Sequence, residues 1–246
     1  HLLIQDLSVI FDSGIQEVEF FDPNQSTIHV REQLLPKPFI EQHFNMISAN
    51  INGKYFKFDV EGIKRPNSLI PYVKRSDLSR QLLVLRSFGI KLEKQKKLPN
   101  EPKRELRESC FSLLQKIGVI DNTKENELTP LGKEAAKYSF VSPFFAVATA
   151  KFNERPQFAF LCSLIIENSR YLVTDPKSKL LCKHFERDSD VVTLLESICE
   201  ICEGVEAGLE DTGISIGILS MIYSQMESIF IGCKGRSAII DSVKWA

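Results

Sequence analysis

The stretch ELTPLGKEAAKYSFVSP, residues 127–143, carries specific helix-start signals. Thr129 directly precedes Pro130, and in this arrangement the threonine caps a helix while the proline occupies its first turn. The segment PLGKEAAKY is therefore predicted to be a helix. Pro143 is interpreted in the same way, as the start of a further helix.

Two helices and a hairpin are predicted upstream of this segment. SDLSRQLLVLRSFG has apolar residues at helical spacing, with Ser76 as its expected N-cap and Gly89 as its end. RELRESCFSLLQKIG has a similar apolar side and is expected to end at Gly118. VIDNTKENELT places two apolar ends around a polar tip, which favours a β-hairpin. The order helix, helix, hairpin, helix predicts a winged-helix module over residues 73–138.

The flanking regions differ in character. Residues 139–206 are mostly apolar with helical spacing, and residues 207–246 continue with the amphipathic segment ISIGILSMIYSQMESIF. Residues 1–72 contain short β-branched and aromatic runs, LSVIFDSG, EVEFFD, TIHVRE and KYFKFDV, separated by turn residues. This part is small for an independent sheet domain. The predicted fold class is mainly α with a smaller α/β part.

The composition argues against a strongly basic nucleic-acid-binding protein, a membrane-spanning protein and a secreted protein. The chain has 246 residues with a net charge of -1, so the molecule as a whole gains no long-range attraction for nucleic acid. No apolar run is long enough to span a membrane, and HLLIQDLSVIF lacks the features of a signal peptide. This start also lacks an initiator Met, so we expect a fragment of a longer protein. The six cysteines suit a reducing compartment, and we expect a cytoplasmic location.

No metal or cofactor site is predicted. Cys199 and Cys202 have C-x-x-C spacing, but they lie in an expected helix and no second cysteine pair or histidine cluster accompanies them. Asp188 and Asp190 flank Ser189 at an expected helix start, where capping explains them. We therefore expect no cofactor.

Several strings resemble the C-terminal half of DEAH/RHA-type RNA helicases. VIFDSG is similar to the V-I-D-S-G strand of that family, and LLQKIGVID with ELTPLGKEAAKYSFVSP resembles its L-x-x-L-G-A-L-D and L-T-x-L-G segments. HFERDSDVVTLLE resembles its F-x-x-x-x-S-D-H-x-x-L-L segment. The resemblance implies the end of a second RecA-like domain over 1–72, a winged helix over 73–138, a helical ratchet domain over 139–206 and helicase-associated helices over 207–246. EFFDPNQSTIHVREQLLPKPFIEQ further resembles the branch of the YTH-domain-containing meiotic RNA helicase.

The stretch EQHFNMISANINGKYFKF, residues 41–58, has no obvious periodicity and by itself is interpreted as a loop running into a strand. Active members of the family carry Q-R-x-G-R-x-G-R here, followed by x-G-x-C-[FY]-R-L. An ungapped overlay aligns the family's glutamine with Gln42 and its three arginines with His43, Met46 and Ala49. We call these aligned positions the degenerate arginine strip. It consists of Gln42, His43, Asn45, Met46, Ser48 and Ala49.

The residues that replace the family's arginines affect the expected capacity to hydrolyse ATP. Phosphoryl transfer from ATP needs fixed positive charge against the γ-phosphate, and an arginine finger contributes about 10³ to 10⁵ in rate. Met46 and Ala49 offer neither charge nor a hydrogen bond, and His43 is shorter and only partly charged near neutral pH. The sequence therefore predicts a helicase frame that does not hydrolyse ATP and has no catalytic residues.

Three functions remain open. The first is an inactive scaffold that binds RNA or a protein partner in translational control, and the resemblance implies a regulatory adaptor of germ-cell differentiation as that partner. The second is an active 3'-5' DEAH RNA helicase with a divergent strip, and the third is a purely protein-interacting module. The candidates for RNA contact are the basic residues Lys94, Lys96, Lys97, Arg104 and Arg107, for which a solvated surface is the alternative interpretation.

Overall fold

The computed structural model describes residues 7–47, 52–58, 64–91, 100–122, 127–186, 188–202 and 212–230. The chain divides into two compact units, the first made of His1–Leu78 and Gln95–Cys110 and the second of Ser79–Lys94 and Phe111–Ala246. The described residues are mainly helical with a small sheet component, so the predicted fold class is confirmed. The predicted domain boundaries at 72, 138 and 206 stay predictions.

The first unit contains two small sheets. Strand β1 (Val9–Asp12) pairs in parallel with β4 (Lys54–Lys57), and β2 (Ile15–Asp22) pairs antiparallel with β3 (Thr27–Leu34). All four strands lie within or overlap the runs predicted from β-branched and aromatic residues. Since β2 and β3 are joined by the four residues 23–26, they form a hairpin.

Helix α1 (Lys37–Ile47) follows the hairpin, so the prediction of a loop for residues 41–47 is wrong. The helix starts beside Pro36, whose carbonyl accepts hydrogen bonds from the Phe39 and Ile40 amides at 3.0 and 3.3 Å. Its buried residues are Ile40 and Ile47, two turns apart on one face. Residues 41–58 alone do not reveal this helical pattern, because its first buried residue lies before them.

Two helices end at glycines, as predicted. Helix α2 (Ser79–Ser87) is followed by Gly89 with φ +72°, and α3 (Arg104–Lys116) by Gly118 with φ +78°. In each case the residue after the glycine donates its amide to a carbonyl five residues back, which is the Schellman pattern. Positive φ is inexpensive for glycine, which explains this residue choice.

The predicted start of α2 is wrong by two residues, because an N-cap at Ser76 puts the first helical residue at Asp77 and the helix begins at Ser79. The Ser76 hydroxyl donates to the Tyr72 carbonyl at 2.7 Å instead of capping the helix. That bond ties Ser76 back to a short 3₁₀ turn, Tyr72–Lys74, which precedes it, and the helix begins only at Ser79. A local hydrogen bond thus competes with the cap.

The predicted hairpin and third helix are present in the second unit. Ile120 and Leu128 form an antiparallel bridge, although the hairpin tip lies outside the described residues. Helix α4 (Pro130–Ala135) continues into a 3₁₀ turn over Ala136–Tyr138. Thr129 caps α4 by accepting from the Gly132 amide at 3.0 Å, which confirms the cap predicted from the sequence.

The remaining helices of the second unit are α5 (Pro143–Lys151), α6 (Pro156–Leu172), α7 (Lys179–Lys183), α8 (Asp190–Cys202) and α9 (Ile216–Ile229). Helix α6 packs against α5, α8 and α9. Its Phe160, Leu161, Leu164 and Ile165 are fully buried and form the centre of this unit. The Ser189 hydroxyl accepts from the Val192 amide at 3.3 Å, as expected for a cap at the start of α8.

Candidate functional site

The positions of the degenerate arginine strip lie along α1 and just beyond it. Gln42 and Asn45 are exposed, whereas His43 and Met46 are half-buried. Ser48 and Ala49 lie outside the described residues. The structure therefore describes two of the three positions that the sequence resemblance aligns with arginines of active helicases. Neither His43 nor Met46 supplies a permanent cation.

The His43 ring contacts a buried carboxylate at the end of β1. Its Nδ1 lies 3.0 Å from Oδ2 of Asp12, a residue only 5% exposed. The same carboxylate accepts a bond from the Gly14 amide at 2.7 Å and another from the Tyr55 hydroxyl. Because an ionised carboxylate only accepts hydrogen bonds, Nδ1 is the donor in the contact with His43. Four residues from three segments thus meet at one carboxylate.

The electrostatics of this cluster depend on Asp12. Burial raises the pKa of its carboxyl group, but hydrogen bonds from Tyr55, Gly14 and His43 lower it by more, so the pKa lies below its ordinary value. Asp12 is therefore anionic at neutral pH. A fixed negative charge beside His43 makes this spot unfavourable for an incoming phosphate, because like charges repel.

A buried arginine lies next to the cluster, but it is held by backbone. Arg65 donates from Nη1 to the Gly14 carbonyl at 2.7 Å and to the Leu35 carbonyl at 3.3 Å. A Cβ added to Gly14 would lie 2.9 Å from Cζ of Arg65, so a larger residue would displace the guanidinium, and the φ of +67° also favours glycine here. Arg65 joins the turn after β1 to the segment preceding α1.

Sequence reasoning missed Asp12, Tyr55 and Arg65 as members of this site. The string Asp-Ser-Gly offered a signal for Asp12, since aspartate often bonds the amide two residues on in such turns. Tyr55 and Arg65 lie 43 and 51 residues from the groups they contact, Asp12 and Gly14, and no local pattern marks them.

The predicted RNA-contact residues are only partly described. Lys94, Lys96 and Lys97 lie outside the described residues. In α3, Arg104 contacts Glu108 at 2.7 Å, and Arg107 contacts Glu101 at 3.4 Å. The Arg104–Glu108 ion pair is exposed and contributes little energy, so phosphate can compete for Arg104, whereas Arg107 is half-buried.

A basic cavity in the second unit was not predicted. It has a volume of about 440 Å³. It lies where the end of α2 meets α4 and the hairpin that contains the Ile120–Leu128 bridge. Among the residues that the structure describes, three cations line it, Arg86, Lys91 and Lys133, against one carboxylate, Glu127. The Arg86 guanidinium also lies over the Phe111 ring, 5.2 Å from its centroid, which orients it. An excess of cations in a concave surface attracts anions.

The described part of the chain offers neither a metal site nor a membrane span. It contains no group of three or more His, Cys, Asp or Glu side chains arranged to hold a metal ion. None of its helices is both long enough and apolar enough to cross a membrane.

Comparison by sequence finds no matching family model and no matching curated protein. Comparison of folds matches many solved structures, and two of them are structures of Escherichia coli HrpB. One, described as a DEAH/RHA helicase, has a TM-score of 0.61 at 19% identity and covers 78% of this chain and 24% of that chain. The other, described as a DExH-box NTPase, has a TM-score of 0.59 at 15% identity and covers 92% of this chain and 27% of that chain. The chain therefore spans about a quarter of the length of HrpB and has a helicase-like C-terminal fold.

Proposed function

We propose that the protein is a helicase-like scaffold that binds RNA, protein partners or both without hydrolysing ATP. The observation that carries this proposal is the contact between His43 and Asp12. At the position of the family's first strip arginine, the side chain is a histidine bonded to a buried carboxylate. Its neighbour along the strip, Met46, has no charge to offer.

The expected loss of catalytic rate supports this interpretation. Removal of one arginine finger lowers the rate of phosphoryl transfer by about 10³ to 10⁵. Loss of all three strip arginines, with a carboxylate placed beside the first position, leaves no described cation on the strip to stabilise transition-state charge. A fold can persist without its reaction, because packing and catalysis depend on different residues.

The test is RNA-stimulated ATP hydrolysis by the full-length protein. The expected result is no release of phosphate above that of a protein-free control, with or without single-stranded RNA. Hydrolysis at ordinary helicase rates would support the alternative, an active 3'-5' DEAH RNA helicase with a divergent strip. A binding measurement with a fluorescent ATP analogue separates failure to bind from failure to hydrolyse.

The basic cavity supports the RNA-binding part of the proposal. A cluster of Arg86, Lys91 and Lys133 can hold backbone phosphates, which contribute most of the affinity in binding that does not depend on sequence. Lys91 also shortly precedes Lys94, Lys96 and Lys97 in the same basic segment. Basic residues adjacent in sequence can extend a phosphate-binding surface.

The test of RNA binding uses a matched pair of variants. Lys91→Gln with Lys133→Gln is expected to weaken binding of oligo(U) and to reduce the salt slope by about 1.4, because each lysine–phosphate ion pair contributes about 0.7 to that slope. Lys151→Gln with Lys177→Gln makes the same charge change at exposed positions away from the cavity. Equal effects of the two pairs would contradict a role for the cavity and favour the purely protein-interacting module.

The proposed cellular role comes from the resemblance in sequence. We propose post-transcriptional control of mRNA in the cytoplasm, in the manner of the YTH-domain-containing meiotic RNA helicase branch and of benign gonial cell neoplasm protein. A regulatory adaptor of germ-cell differentiation is the proposed partner. Tethering the full-length protein to a reporter mRNA should lower the protein output per transcript, and unchanged output would argue against translational repression.

A further inference from the structure

The β2–β3 hairpin has two unlike faces. Residues opposite each other in an antiparallel pair share a face, and the register pairs Val18 with Arg31 and Glu19 with Val30. The face containing Val18 is partly buried. The opposite face, called here the acidic face, consists of Ile15, Glu17, Glu19, Phe21, Ile28, Val30, Glu32 and Leu34.

The acidic face carries only negative charge. Its three glutamates, Glu17, Glu19 and Glu32, make no ion pair among the described residues, and none of its members is basic. Glu17 lies directly opposite Glu32, and like charges in that position destabilise a sheet. Arg31 cannot neutralise them, because its guanidinium lies over the Phe20 ring on the other face, 5.5 Å from the centroid.

Apolar side chains are exposed between these carboxylates. Ile28 is 63% exposed, Val30 49% and Ile15 47%. A hairpin that displays β-branched side chains beside unneutralised carboxylates is complementary to a ligand that is both apolar and basic. RNA does not fit this chemistry, because its phosphates would be repelled.

The two edges of the hairpin also differ. The outer edge of β2 is occupied, since the Phe21 amide donates to the Arg75 carbonyl at 2.7 Å and the Arg75 guanidinium donates to the Glu19 carbonyl at 2.9 Å. Among the described residues, β3 pairs only with β2, and residues 27–32 are all exposed. Strand β3 is a regular eight-residue strand without proline or lysine, two residues that commonly protect an edge from pairing.

We propose that the acidic face and the free edge of β3 bind an extended segment of a partner protein in which every second residue lies on the acidic face, and these residues are alternately basic and apolar. The added strand pairs with the backbone of β3, while its lysines or arginines contact Glu32, Glu17 and Glu19. Its apolar residues cover Ile28 and Val30. Main-chain bonds provide affinity in this mode and the side chains provide selectivity. The inference rests on the protein-binding part of the proposed function and is independent of ATP hydrolysis.

The test measures binding of a fluorescent peptide with the repeat Lys-Ser-Val-Ser to the full chain by anisotropy, because this repeat places lysine and valine on the same face of a strand. The hairpin variant combines Glu17→Gln, Glu19→Gln and Glu32→Gln. Its control combines Glu154→Gln, Glu186→Gln and Glu227→Gln, three exposed glutamates of the second unit, so both variants change net charge equally. The hairpin variant is expected to bind about tenfold more weakly, and the control variant within about twofold of wild type. Equal weakening of both variants would show a net-charge effect and overturn the proposal.

Hydrogen exchange on the wild-type chain gives a second readout that needs no variant. The peptide should slow amide exchange in residues 27–34, whereas a peptide with the repeat Lys-Ser-Ser-Ser, in which serine replaces valine, should slow it much less. Unchanged exchange in β3 would overturn strand addition even if the peptide binds. Slowed exchange with oligo(U) instead of the peptide would overturn the proposal by assigning the edge to RNA. The hairpin variant should keep its affinity for oligo(U), so this test can fail while the basic cavity still binds RNA.

Discussion

Gly132 provides the most direct test of how the start of α4 is held. A Cβ at this position would lie 2.9 Å from the Val119 carbonyl carbon, closer still to its oxygen, and 3.2 Å from Cδ2 of Leu128. The Val119 carbonyl cannot move freely, because it accepts the Thr129 amide at 3.1 Å. Gly132→Ala must therefore displace backbone and not only a flexible side chain.

The loss of stability expected for Gly132→Ala can be estimated from these contacts. Overpacking of a rigid site costs about 1–3 kcal/mol, and loss of the Thr129–Val119 hydrogen bond adds about 1 kcal/mol. We expect Gly132→Ala to lower the free energy of unfolding by about 2–4 kcal/mol. For a chain of this size the midpoint temperature falls by about 2–4 °C per kcal/mol, giving a decrease of roughly 5–15 °C.

The assay is thermal unfolding followed by circular dichroism, with Gly217→Ala as the matched control. Gly217 lies in α9, and the nearest atom to an added Cβ is the Ser215 Oγ at 4.0 Å. The control should be neutral or more stable by about 0.5–1 kcal/mol, since alanine favours a helix over glycine. A Gly132→Ala midpoint within about 1 °C of wild type would refute the reasoning.

Three further predictions concern the cap, the carboxylate and the thiols. Thr129→Ala removes the acceptor for the Gly132 amide and should lower the free energy of unfolding by about 1 kcal/mol in urea denaturation. The Asp12 pKa is lowered in the folded state, so its stabilisation is present above the unfolded value of about 3.9 and is lost as pH falls through the folded value. Asp12→Asn should therefore lower the free energy of unfolding at pH 7, and the variant should not show this loss of stability in acid. A variant whose stability falls with pH as steeply as that of wild type would contradict this role of Asp12. Burial raises the pKa of Cys162 to about 11, so iodoacetamide near pH 8 should label the exposed Cys182 and leave Cys162 unmodified, as peptide mass spectrometry would show.

Local features of the fold could be predicted from the sequence. The Thr129 cap and the glycine ends at Gly89 and Gly118 depend on hydrogen bonds within six residues, so short strings contain the needed information. The strands of the first unit were equally visible as β-branched and aromatic runs. The start of α2 was misplaced because the Ser76 hydroxyl can serve either a cap or a turn, and the sequence does not decide between them.

The candidate site was predictable only in part. The positions of the strip could be located by resemblance, but the contact that defines the site joins His43 to Asp12 across 31 residues. Arg65 reaches Gly14 across 51 residues and is positioned by tertiary packing. The basic cavity combines the end of one helix with the base of a hairpin, which no single stretch of sequence reveals.

We propose that the degenerate arginine strip of this protein does not support ATP hydrolysis. The most direct test of this proposal replaces the aligned segment of Escherichia coli HrpB, described as a DExH-box NTPase, with residues 41–49 of this chain. A second chimera restores arginine at the positions of His43, Met46 and Ala49 and glycine at those of Asn45 and Ser48. The first chimera is expected to fold but to lose at least about 10³ in RNA-stimulated ATPase rate, and the second is expected to recover most of that rate. A first chimera that hydrolyses ATP within about tenfold of unaltered HrpB would contradict the claim.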